Sequence, residues 1–201
     1  MIKIEPQNGG QGDQLRQFRD VDSTKTSWWW YSLGRNKKSA VVDLHKEKGR
    51  DIAKRLATSW ADVLVENFKP GTMEKWGIGS GTLHELNPDL IYTAVSGYGR
   101  TGPYSRRPGF ASACEAMGGF RSVNGFPDRP SVRPNLSMGD TLAGQSAALG
   151  TMMALYARDR DRRRRPDSAL GASPVPVRGQ VVDAAIVSPC PRRARASRTK
   201  R

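Results

Sequence analysis

The chain has 201 residues, a hydrophobic content of 37% and a formal net charge of +14. That length allows one domain with a real core, and the low hydrophobic share suits a soluble protein carrying some unfolded sequence. No apolar run approaches the roughly 20 residues a membrane-spanning helix needs, which excludes a span, and the first residues lack a signal-peptide pattern. Cys114 and Cys190 lie far apart with no CxxC spacing and no neighbouring histidine. They argue against a disulfide framework or a metal site and for a reducing, intracellular compartment, cytoplasmic or mitochondrial.

The distribution of the charge says more than its sum. Residues 158–201 hold 13 Lys+Arg and 4 Asp+Glu, a net of +9, while the preceding 157 residues carry only +5. A mildly basic body suits a binder of polyanionic ligands, and the rest of the basicity belongs to a tail.

In chain order, residues 2–5 alternate as a short strand and a Gly-rich polar stretch runs on as loop to about Asp22. The aromatic run Trp28 to Tyr31 reads as a half-buried anchor or, functionally, as a wall of a ligand site. Residues 40–43 form a short apolar strand. From Lys46 to Trp60 the spacing predicts a helix with Ile52, Ala53, Leu56 and Trp60 on its inner face. Residues 63–66 are continuously apolar, as a buried parallel strand is. After a turn at Pro70 and Gly71 come short helical pieces at 72–76 and 82–86, then a strand over 90–95. A helix over 111–118, a polar loop over 124–135 and a long helix from about Asp140 to Arg158 follow. The stretch beginning at Arg162 has no apolar face and reads as disordered, with a strand-like island at 177–186.

The alternation of strands and helices predicts an α/β, Rossmann-like parallel sheet with flanking helices. Ligands in such sheets bind beyond the carboxyl ends of the strands. That rule selects the loops after Val65 and after Val95, the second carrying Gly97, Gly99 and Gly102.

Five strings, in order, resemble family III CoA-transferases, the CaiB/BaiF group. They are IKIEP at 2–6, NKKS with VVDL at 36–44, DVLVENFKPG at 62–71, SGYGRTGPY at 96–104 and SMGD at 137–140. The resemblance covers residues 1–157 and implies transfer of CoA from an acyl-CoA to a carboxylic acid. It places Asp140 as the catalytic carboxylate, with aspartyl anhydride and aspartyl-CoA thioester intermediates. It also implies that Asn67, Phe68 and Lys75 contact CoA and that the loop of Gly97, Tyr98, Gly99 and Gly102 shapes the acyl pocket. Coenzyme A enters as substrate, and no tightly bound cofactor or metal is implied. The family pairs chains as interlocked homodimers.

Position alone reads Asp140 as a helix N-cap, and a helix N-terminus would depress its pKa. Asn67 reads alternatively as a turn former, Phe68 as a core plug and Lys75 as a solvated helix lysine. His84 reads as an exposed helix residue. Related acyl-CoA racemases carry a histidine where Phe110 stands here, which favours transferase over racemase. By the same resemblance members run to about twice this length. A strand and a CoA loop are then expected before Met1, and residues 160–177 look inserted ahead of a family-like remnant at 178–186. A basic-tailed binder of nucleic acid or anionic surfaces is the competing class, though the tail lacks aromatic interleaving.

Overall fold

The computed structural model describes residues 1–19, 21–133, 135–164 and 178–187. The sequence assigns disorder to the tail, and that expectation falls largely on 165–177 and 188–201, outside the described residues.

Two parallel sheets form instead of one. Strand β1 (Ile2–Glu5) pairs with β2 (Lys38–Val41), while β3 (Val63–Glu66), β4 (Ile91–Ser96) and β5 (Val181–Ala185) form a second sheet in the order β3-β4-β5. All pairings are parallel, with Val63 opposite Ile91 and Tyr92 opposite Val181. The strand-like island therefore joins the sheet beside β4. Among the described residues β3 pairs only with β4, and Val65, on the face that α6 covers over β4 and β5, is exposed, so the expectation of a fully buried strand gives way there.

Alternation along β4 sorts its side chains onto two faces. Tyr92 and Ala94 pack with Ala57 of α2 (Glu47–Ser59) and Leu83 of α4 (Ser80–Leu86). Thr93 turns the other way, its hydroxyl 2.7 Å from that of Thr151 in α6 (Met138–Arg164). Helices thus cover both faces, and β4 is the buried centre. A second cluster of Ala53, Met73 and Ile78 gathers Ile4 and Leu44, which ties the two sheets together.

Helix α2 keeps Ala53 on its inner face, as its spacing predicts, but the face is rotated away from Ile52 and Trp60. Gly49, Ala53 and Ala57 are buried, whereas Ile52 and Trp60 are exposed. Small residues win because the helix lies close: a Cβ on Gly49 would stand 2.0 Å from the Asp43 carbonyl oxygen. The aromatic run forms α1 (Trp28–Leu33), capped by the Ser27 hydroxyl. Trp28 is exposed, and Arg16 stacks 3.9 Å above the Trp30 ring. The remaining short helices are α3 (Thr72–Lys75) and α5 (Ala111–Met117).

Helix α6 runs six residues past Arg158 and lies antiparallel to β5. Its start meets Ile186 just beyond β5, Gly150 faces Val182, and Gln180 donates to the Ala154 carbonyl. At the far end Arg158 is buried and donates to Asp62 and to the Asp89 carbonyl, while Arg162 pairs with Asp89. These two arginines, counted with a solvated tail on charge alone, anchor the helix to the amino edge of the sheet. No helix among the described residues is long and apolar enough to cross a membrane.

Candidate active site

Parallel pairing brings the ends of β3, β4 and β5 to one edge, and the antiparallel course of α6 delivers its first turn there too. Asn67 and Phe68 follow β3, the loop 97–102 follows β4, and Ile186 follows β5. Asp140 sits in the first turn of α6.

After β3 the chain turns because the Glu66 carboxylate accepts the Phe68 N–H at 2.7 Å. Asn67 is exposed beside it. Phe68 is not a core plug: it is 38% exposed and meets the Trp76 ring edge-on at 5.1 Å. His45 meets the same indole at 5.4 Å. Lys75 is exposed at the end of α3. Trp76 and His45 were missed by sequence reasoning, because only the fold brings the segment after β2 against the turn after α3.

The glycine loop is held from three directions. A Cβ on Gly97 would stand 2.6 Å from Gly109 Cα and 3.1 Å from Cys114 Sγ, so glycine alone permits this approach. Gly99 and Gly102 adopt positive φ. Tyr98 packs over the loop, its ring 5.8 Å from that of Tyr104. Burial pushes the Tyr98 hydroxyl above its ordinary value. From β5, Asp183 accepts the Arg100 N–H at 2.8 Å, and the Ile186 and Val187 N–H groups donate to the Ser96 and Gly97 carbonyls.

Arg100 links the two loops. Its guanidinium donates to Glu66 at 3.3 Å and to Glu74 of α3. Tyr92 donates to the same Glu66 oxygen at 3.4 Å. Burial raises the Glu66 pKa, with the Phe68 N–H and Arg100 opposing. Glu66 and Arg100 both lie inside the quoted strings, yet their pairing is invisible until β3 and β4 are known to be neighbours.

Asp140 is not an N-cap. The helix begins at Met138, and the Glu115 carboxylate accepts the Gly139 N–H at 3.0 Å. Nor is its pKa depressed. Loss of water around the carboxyl raises it, the Glu115 charge raises it further, and Arg133 pulls the other way. Loss of water first, and the neighbouring carboxylate second, outweigh the helix dipole.

His84 is only partly exposed, and a ring nitrogen lies 3.0 Å from the Leu90 carbonyl oxygen, so it has a structural task away from this edge. Phe110 precedes α5, is 67% exposed and carries no titratable group. No cluster of three or more metal-ligating side chains occurs among the described residues.

The order of these parts along the chain is that of a known family, and residues 1–165 match the family described as CoA-transferase family III. The chain belongs to CoA-transferase family III. It is 48% identical over 160 residues to succinyl-CoA–D-citramalate CoA-transferase of Chloroflexus aurantiacus, covering 80% of this chain and 39% of that protein. Against succinyl-CoA:glutarate CoA-transferase of Mus musculus the identity is 36% over 160 residues, covering 80% and 36%. Among solved structures, a CaiB/BaiF family protein from Brucella suis superposes with a TM-score of 0.77 at 30% identity, covering 92% of this chain and 45% of that one. The family III chain described here thus spans about two-fifths of the length of the curated relatives it matches.

Proposed function

We propose that this chain carries the nucleophile and the CoA-facing loops of an enzyme that moves CoA from an acyl-CoA donor to a free carboxylic acid. One observation carries the proposal: Asp140 lies in the first turn of α6 at the sheet edge where the Asn67–Phe68 turn and the 97–102 loop also lie.

The residues suit the chemistry in sequence. An Asp140 oxygen attacks the thioester carbonyl, the C–S bond breaks, and CoA leaves as thiolate from an aspartyl mixed anhydride. The thiolate attacks the aspartyl carbonyl, releasing the donor acid and leaving an aspartyl-CoA thioester. The acceptor carboxylate attacks that thioester, giving a second anhydride and freeing the thiolate again. Attack of the thiolate on the acceptor's acyl carbon then restores the Asp140 carboxylate. Each step exchanges one acyl bond for another, so one hard transfer becomes four easier ones. A raised pKa makes Asp140 a more basic nucleophile than an ordinary aspartate.

In this reading Asn67, Phe68 and Lys75 receive CoA, with the Phe68 and Trp76 rings against its base and the Lys75 charge on a phosphate, and the exposed Phe68 ring beside Trp76 supports it. The loop of Gly97, Tyr98, Gly99 and Gly102 lines the acyl side. Succinyl-CoA, printed in the names of several relatives, is the donor to try first, with short dicarboxylic acids as acceptors. A homodimer fits as well, since Leu149, Met152, Met153 and Tyr156 lie exposed along α6. An intracellular location, where CoA thioesters are made and used, goes with this reading.

Quenching the protein with succinyl-CoA and mapping its peptides tests the proposal. A CoA adduct on the peptide bearing Asp140, absent from D140A, is the expected result. Undiminished transfer in D140A would overturn it.

A further inference from the structure

Beneath the start of α6 lies a carboxylate that the transfer chemistry leaves without a task. Glu115 of α5 is 6% exposed. One of its oxygens accepts the Gly139 N–H at 3.0 Å. The other is buried without a hydrogen-bond partner among the described residues, with Arg133 Nε 3.8 Å away. A carboxylate is costly to bury, and any neutral acceptor could have capped this N–H.

The glycine it contacts is built for that approach. A Cβ at Gly139 would stand 2.9 Å from Ile186 Cγ2 and 3.3 Å from both Glu115 Cγ and Oε1. Glu115, Gly139 and Ile186 therefore close together one residue before Asp140, joining α5, α6 and the end of β5.

We propose that Glu115 is a positioning residue for Asp140, fixing the first turn of α6 through Gly139 and setting a negative charge against the nucleophile. The inference rests on Asp140 being the nucleophile. Acylation converts the Asp140 carboxylate into a neutral anhydride or thioester, which relieves its repulsion with Glu115. The buried charge thus disfavours the resting carboxylate more than the acylated state, and that difference lowers the barrier to attack. The groups acting on Asp140 are Glu115, which raises its pKa after loss of water, and Arg133, which lowers it. The Cys114 thiol, also on α5, is raised by burial and by Asp140 and Glu115, so it stays neutral. Ile186 brings no charge from β5.

The test uses the full chain with carbon-13-labelled aspartate carboxyls, Asp140 being assigned through D140N. In E115Q an acceptor oxygen for Gly139 remains while the charge goes. The Asp140 titration midpoint then moves to lower pH, and Gly139 amide exchange stays as in the unaltered chain. In E115A the exchange at Gly139 quickens about tenfold, the size of a lost charge-assisted hydrogen bond. An unchanged Asp140 midpoint in E115Q overturns the inference even if E115A fails to fold. Both readouts need no CoA, so failure of this inference is read from the E115Q midpoint and failure of the proposed function from transfer in D140A, and the two are told apart.

Discussion

Replacing Arg100 by alanine removes the cation that ties the 97–102 loop to the turn bearing Asn67 and Phe68. Its partner Glu66 is 8% exposed, so the variant leaves a buried carboxylate with only the Phe68 N–H and the Tyr92 hydroxyl. Breaking a buried pair from one side costs about 3–5 kcal/mol. The two remaining donors place this case at about 3 kcal/mol, and Glu74, well exposed, adds little. For a chain of this size that is a fall of roughly 6–12 °C in Tm. The sign of the pH dependence follows from Glu66, whose folded pKa already stands above its ordinary value. Ionised Glu66 therefore costs stability at high pH, and protonation relieves the cost as pH falls through its folded pKa. Loss of Arg100 pushes that pKa higher, so the deficit of R100A is widest near about pH 8 and narrows towards about pH 5. Urea unfolding at both pH values measures it, and E66Q in the R100A background should recover most of the loss. A deficit under about 1 kcal/mol that ignores pH would refute the reasoning, since it would mean Glu66 is solvated or served by another cation.

Two further outcomes follow from the same kind of accounting. The Arg16 hydrogen bond, with the Asp13 N–H and Ser39, lowers the Glu5 pKa from 4.5 to about 2. The stability it confers is present above its unfolded value and lost as pH falls from about 4.5 towards 2, a swing of about 2–3 kcal/mol. Unfolding free energies of E5Q against pH should lack that acid limb. At Gly97, alanine would put a Cβ 2.6 Å from Gly109 Cα, a clash with backbone that no rotamer relieves. G97A should keep its circular-dichroism spectrum and lose transfer rate by about a hundredfold, as misplacement of a reacting group does. G81A, whose Cβ meets nothing within 4 Å, serves as the neutral control for rate.

Local pattern went a long way here. Residues 2–5, 63–66 and 72–75 became the elements their composition suggested, because strand and helix periodicities depend on neighbours a few positions apart. The inner face of α2 was misread because hydrophobicity favoured Ile52 and Trp60. The close approach of the Asp43 carbonyl requires Gly49, and Ala53, which the spacing does mark, and Ala57 complete the inner face against the two core clusters. Single against double sheet could not be read from the strands, since each is compatible with either. At the site, the quoted strings marked Asp140, Asn67 and the glycine loop. Glu66, Arg100 and Glu115 escaped notice because their roles depend on pairings 24 to 34 residues apart in the chain. The Asp140 pKa runs against the expectation for that reason too: the helix dipole is local, whereas the loss of water around the carboxyl and the Glu115 charge come from the packing of other elements.

The bond from the Arg100 N–H to Asp183 spans 83 residues of chain. During synthesis the 97–102 loop emerges long before the strand that clamps it. Nothing within residues 1–164 supplies this bond or those of Ile186 and Val187 to Ser96 and Gly97. Assembly of the loop is therefore a late, non-local event that must first meet the entropy of closing a long chain segment. A nascent chain released before β5 would hold the turn built from Glu66 to Trp76, with the 97–102 loop still unfastened. The two loops at the carboxyl edge of the sheet would then reach their final form at different moments in the life of one molecule.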